Sequence, residues 1–268
     1  MLSHLFSSEL SLRLVQALLT LTFTLVVLFW AQKKRINLFQ EGLQALLRGL
    51  AQVVAIGSVL LLVFRGSIWG SILLLFFMIL VASRVTARRI RRVEGSFAIA
   101  FLGIALGGGL VTFLMTWMGV IDSHPTSLVP VGSMIIANAM NTCSLALERL
   151  LSEVETQRSL IEAGLSLGVP APKVIAPYLE RALTASLIPR IDSLRSLGIV
   201  WIPGLMAGMI LAGTSPVSSA LYQFVVIAMI FSVSILSAFI SARFLSVRLF
   251  SPAHQLLLLP PEKKPFSE

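Results

Sequence analysis

Apolar positions along this chain fall into long blocks separated by short polar runs, with no alternating period-two stretches of the kind that mark strands. A helix needs about 20 apolar residues to cross a hydrocarbon layer of about 30 Å. Blocks that approach or reach this length run over Leu12–Trp30, Leu43–Phe64, Trp69–Ser83, Ser96–Val120, Leu128–Leu147, Leu197–Gly213 and Ser219–Phe244. The pattern predicts an all-α polytopic membrane protein with about seven spans. The longest polar interval, Arg149–Leu197, keeps an apolar stripe through Leu151, Val154, Leu160, Ile161 and Leu165, and is then broken by Pro170 and Pro172. It predicts a helix, a turn and a second helix that returns toward the membrane. Residues 1–250 are expected to form one transmembrane domain, with 149–197 as its cytoplasmic loop and 251–268 as a Pro-rich tail.

Composition agrees with the pattern. Of 268 residues, 56% are hydrophobic and 12% charged, and mean hydropathy is +0.92. A water-soluble domain averages about 25% charged residues, so lipid must solvate most of this surface. The net charge of +9 is confined to short runs between blocks, which excludes a nucleic-acid face and suits a topology signal. When the seven blocks alternate direction, every lysine and arginine of the 21 except Arg13 and Arg65 falls on one side. This places the N-terminus outside and the C-terminus in the cytoplasm. The single cysteine, Cys143, reads as a small buried hydrophobe.

Several chemistries are absent. No Asp, Glu or His falls in the middle of a block, so a proton-coupled carrier lacks its usual buried titratable group. No G-x-x-x-x-G-K-[ST] phosphate loop and no H-E-x-x-H pair occurs, so the chain neither binds ATP through such a loop nor resembles a zinc protease. The chain is expected to be no enzyme and to carry no cofactor of its own.

Three stretches stand out. Glu162-Ala163-Gly164 followed by Gly168 and Pro170 describes a small-residue helix that ends at a glycine and turns into another helix. Pro203, Gly204 and Gly208 interrupt the sixth block; proline bends a helix and the small-xxx-small pair permits close helix approach. A short, Pro/Gly-interrupted span is also where a transport path is expected. The third stretch is Val129-Pro130-Val131-Gly132-Ser133-Met134-Ile135-Ile136-Ala137-Asn138-Ala139-Met140.

Over Leu128–Tyr222 these stretches resemble the seven-helix permeases of the bacterial iron-export ABC system, to which plant aluminium-tolerance permeases are related. The first resembles the E-A-A-x-x-x-G loop with which ABC permeases dock onto their ATPase. The resemblance implies a permease homodimer in the inner membrane, paired with separate ATP-binding subunits that hold ATP and magnesium. Glu162, Ala163, Gly164 and Gly168 would then lie in the coupling loop. It implies iron or another metal as cargo, with a nucleotide sugar as the alternative; an ATP-independent channel is a further rival. Metal would meet soft and amide donors, and Met134, Asn138, Asn141 and Met206 are the candidate path-lining contacts. On an ideal helix Met134, Asn138 and Asn141 share one face.

Overall fold

Proline and glycine set the ends of the helices that the apolar blocks become. The structure, a computed structural model, describes residues 9–34, 39–65, 68–251, 253 and 255–257. Arg35, Lys263, Lys264 and most of the tail lie outside the described residues. Nine helices follow among the described residues: α1 Glu9–Lys33, α2 Phe39–Arg65, α3 Ile68–Ala87, α4 Ser96–Trp117, α5 Pro125–Thr156, α6 Arg158–Ser166, α7 Ala171–Ser196, α8 Gly204–Leu211 and α9 Pro216–Arg248. Helix α3 tightens into a short 3-10 turn at Arg88–Ile90, and α4 contains a π-turn at Ala105–Gly109. Six helices, α1 to α5 and α9, are long and apolar enough to cross a membrane. The chain is an all-α polytopic membrane protein.

The chain divides into two compact units, Met1–Arg65 and Gly66–Glu268. In the first, α1 and α2 pair antiparallel, with Gly42 of α2 against the Leu28 side chain of α1. None of the residues in their apolar windows is buried, so Phe23, Val26, Val53 and Val54 present bare apolar surface. Two helices cannot bury such surface between themselves; lipid or other protein must cover it.

The second unit is a bundle around α5. Leu75 of α3 packs on Gly132, Thr86 bonds Ser144 and Arg92 reaches Glu155, so α3 and α5 run parallel. Thr112, Gly108 and Gly103 of α4 meet Gly132, Ala139 and Cys143 in turn, so α4 runs antiparallel to both. Thr142 donates to Ser234 of α9 at 3.2 Å, and Met134 and Asn138 share a cavity wall with Ile227 and Ile230; α9 is parallel to α5. Glycines allow these approaches. A methyl on Gly103 would come within 2.7 Å of Ser241 Cβ, and one on Gly107 within 2.8 Å of Ser237 Cα. The π-turn coincides with the run Gly107-Gly108-Gly109, where side chains impose least on the backbone.

One expected span is different. Leu197–Gly213 holds only the eight-residue α8, after a non-helical stretch at 197–203. The missing length comes from α7, whose Ala182 and Ser186 are buried and whose Arg190 lies against Thr142. Helices α7 and α8 together therefore form one broken arm of the bundle, antiparallel to α5; neither is among the six helices long and apolar enough to cross a membrane. The interval 149–197 is correspondingly not a single polar excursion: its second half belongs to the bundle. Arg190, counted from sequence among the charges of the loop, lies half-buried against α5. Hydropathy missed this because α7 carries Arg181, Arg190, Asp192 and Arg195, and its polar groups are accommodated by neighbouring helices rather than by lipid.

Candidate functional site

The break between α7 and α8 has a local cause. Pro189 has no N–H to return to the helix, and after Ser196 the chain turns through Gly198 at φ +77°, a left-handed conformation that suits glycine. Gly198 N–H donates to the Trp201 carbonyl at 3.1 Å. Pro203 then caps α8 in an extended conformation, and its ring fixes the entry to the helix. Non-helical backbone at membrane depth survives only where protein or a cavity satisfies it.

Such a cavity is present. It has a volume of about 160 Å³ and is bounded by Met134 and Asn138 of α5, Arg190 and Ser193 of α7, Trp201, Pro203, Gly204 and Leu205, and Gln223 with Ile227 of α9. Arg190 Nε donates to Thr142 Oγ1 at 3.3 Å. With 1.5 Å rise per residue, Thr142 is about 10 Å along α5 from Arg149, so the guanidinium is well removed from the basic end of the bundle. Among the described residues no carboxylate lies within ion-pair distance of it. Gln223 is 2% exposed; its Oε1 accepts from Met206 N–H at 3.2 Å, while its Nε2 has no partner.

The candidate metal contacts divide. Met134 and Asn138 line the cavity, but Asn138 Nδ2 donates to the Met134 carbonyl at 2.7 Å, which ties the amide's N–H to its own helix. Asn141 is exposed, and Met206 reaches the site only through its backbone. Among the described residues no group of three or more His, Cys, Asp or Glu gathers anywhere. Arg190 and Gln223 were missed from sequence; the signal was Arg190 directly after Pro189, in a helix that must re-enter the bundle. Gly204 and Gly208 also differ from expectation: among the described residues no other helix comes within 4 Å of a methyl built on either. Close approach is made at Gly103 and Gly107 instead.

At the basic end, α6 and the start of α7 form an elbow. Gly168, at φ +81°, ends α6. Val169 N–H bonds the Gly164 carbonyl and Gly168 N–H that of Leu165, the paired bonds that close a helix at a left-handed glycine. Gly164 lets Val174 of α7 fold back on α6, a methyl there meeting Val174 Cγ2 at 3.3 Å. Ile161 is fully buried and anchors α6, whereas Leu160 and Leu167 are 61% and 84% exposed, with Ala163 between them also exposed. Spaced three and four residues apart, these three form one apolar stripe turned away from the bundle. Glu162 beside it is paired with Arg158 at 2.7 Å.

The sequence profile of the uncharacterised protein family UPF0014 matches residues 14–250. The chain is 29% identical over 244 residues to "Protein ALUMINUM SENSITIVE 3" of Arabidopsis thaliana, covering 91% of this chain and 89% of that one. It is 28% identical over 247 residues to "Probable iron export permease protein FetB" of Escherichia coli, covering 92% and 95%. It is 32% identical over 210 residues to "UPF0014 membrane protein YjkA" of Bacillus subtilis, covering 78% and 84%. No solved structure is significantly similar to it. With its helical architecture and a profile match along most of its length, the chain belongs to the UPF0014 family of membrane proteins.

Proposed function

We propose that this chain is the membrane-spanning subunit of an ABC exporter, carries a metal-containing solute, and is driven by ATP hydrolysis on a separate chain. The observation that carries this reading is the interrupted helix pair α7–α8, which lines a cavity with Arg190 and Gln223 in its wall, as the broken helices of transport paths do. The name of the Escherichia coli relative supports iron or a similar metal as the cargo.

Helix α7 links the two places such a machine needs. It begins at the elbow, at Ala171, and reaches the cavity at Arg190, about 28 Å away along the helix axis. A tilt imposed at the elbow would move Arg190 and Ser193 against α5 and α9, with Pro177 and Pro189 as points of bending. The stripe of Leu160, Ala163 and Leu167 offers the surface an ATP-binding subunit would grip. ATP and magnesium belong to that subunit.

The basic end carries Arg84, Arg88, Arg89, Arg91, Arg92 and Arg149, and the positive-inside rule turns it toward the cytoplasm of the inner membrane. With seven passes, counting α7–α8 as one, the N-terminus is outside and the tail at 251–268 is cytoplasmic. Residues 1–250 would act as one permease domain, and the exposed apolar faces would be covered by lipid and by a second copy.

Co-expression with a candidate ATP-binding subunit tests the scheme. The two chains should copurify, and vesicles containing both should move iron only with hydrolysable ATP. Flux without any ATPase would make the chain a channel. A response of hydrolysis to a nucleotide sugar and not to iron would replace the cargo.

A further inference from the structure

The cavity between α5, α7, α8 and α9 is chemically one-sided. Its charged group is the Arg190 guanidinium, and no Asp or Glu lines it. Gln223 contributes a second donor: its side chain is almost completely buried, and Nε2 is without a partner. A buried donor left unpaired is costly unless something comes to accept from it. The third contribution is the start of α8. Gly204 and Leu205 line the cavity, and the first amides of a helix have no intrahelical acceptor and carry the positive end of its dipole. The Met206 amide is taken by Gln223, which ties this helix end to the glutamine.

A bare divalent cation meets the wrong electrostatics here. It would be repelled by Arg190 and by the helix end, and the nearby Met134 thioether and Asn138 amide supply no negative charge to offset that. An oxyanion meets the right ones, since a guanidinium, a primary amide and backbone N–H groups are the donors that recognise carboxylate and phosphate. The volume, about 160 Å³, is ample for one such group, since about 10–15 Å³ of such space already holds a water. Intramembrane arginine is expensive and is retained where it serves a path.

The geometry points to an oxyanion site: the cavity bounded by Arg190, Gln223 and the start of α8 receives a carboxylate or phosphate group of the transported solute. Metal that crosses here then travels within an anionic complex. The assignment rests on the transport reading of this cavity, and its test separates the two.

The full chain is reconstituted in phosphatidylcholine nanodiscs and titrated with citrate, iron(III) citrate, inorganic phosphate and iron(II) alone. At least one of the oxyanion probes should bind, iron(II) alone should not, and Arg190→Gln and Gln223→Met should each weaken binding at least tenfold, with Arg190→Lys intermediate. Gel filtration and the thermal midpoint report folding; if Arg190→Gln does not fold, Gln223→Met and Arg190→Lys carry the test. Binding of iron(II) alone that is equal in wild type and variants, or oxyanion binding unchanged by the variants, overturns the site. Repeating the titration in phosphatidylglycerol distinguishes cargo from lipid. Unchanged binding supports a solute, whereas abolished binding puts a headgroup in the cavity and overturns the cargo assignment. ATP-driven iron(II) flux that survives Arg190→Gln removes the oxyanion site but keeps the exporter. Arg190-dependent citrate binding without ATP-driven flux does the reverse.

Discussion

Gly107 of α4 and Ser237 of α9 are in such close contact that a single methyl on the glycine would lie 2.8 Å from both the Cα and the N of the serine. Backbone cannot give way as a side-chain tip can. Gly107→Ala is therefore expected to destabilise the bundle by about 1–3 kcal/mol, the usual cost of overpacking. Gly208→Ala, whose methyl meets no other helix among the described residues within 4 Å, should leave the midpoint of the detergent-solubilised monomer near wild type. Thermal unfolding of both variants checks this, and equal losses would mean that α4 and α9 do not touch as described.

Gly168 separates backbone demand from space. Its φ is +81° but nothing lies within 4 Å of a methyl placed there. Asparagine tolerates the left-handed region and valine does not. Gly168→Asn should keep most ATP-driven transport, while Gly168→Val should cost roughly 1–2 kcal/mol in local strain and loosen the elbow. Vesicle flux and protease sensitivity near residue 168 would show the difference.

The elbow has an inner and an outer face, and they should fail differently. Ile161→Ala removes a fully buried anchor and is expected to cost about 2–5 kcal/mol, lowering the thermal midpoint. Leu160→Ser and Leu167→Ser change exposed positions; they should leave the midpoint within about 0.5 kcal/mol of wild type yet weaken copurification with the ATP-binding subunit. Full retention of that complex in the double variant would remove the stripe from the interface.

The ion pairs Arg89–Glu148 and Arg92–Glu155 join the turn that follows α3 to α5 at 2.8 and 2.7 Å, but all four side chains are between 38% and 53% exposed. Pairs this exposed contribute about 0.2–1 kcal/mol. Glu148→Gln should lower stability by no more than that, and the loss should shrink in high salt as screening grows. Thr142→Val should matter more, because it removes the only side-chain partner Arg190 has among the described residues. The bond is half-buried and long at 3.3 Å, so its loss should cost about 0.5–1.5 kcal/mol, and a thermal midpoint unchanged in Thr142→Val would contradict the placement of Arg190.

Much of this was legible in the residues. The straight spans were readable because about 20 apolar residues in a row have no other stable solvent. The elbow was readable at Gly168 and Pro170, and the interruption at Pro203, because these residues restrict backbone geometry by themselves. The second half of α7 was not. Its charges resemble a solvated surface, and only neighbours such as Thr142 make a place for Arg190 against α5. Gly204 and Gly208 invited a close contact that the chain makes at Gly103 and Gly107, because glycine permits an approach without choosing the partner.

The sequence by itself determined that this protein lives in lipid, which stretches are helical and where the backbone must turn, since hydropathy and allowed dihedrals are properties of the local chain. Only the tertiary structure decided that α7 and α8 share one broken arm and that Arg190, Gln223 and the start of α8 face one cavity. Those groups are separated by tens of residues, and what joins them is the rotation and depth of packed helices, set by contacts that no single stretch contains.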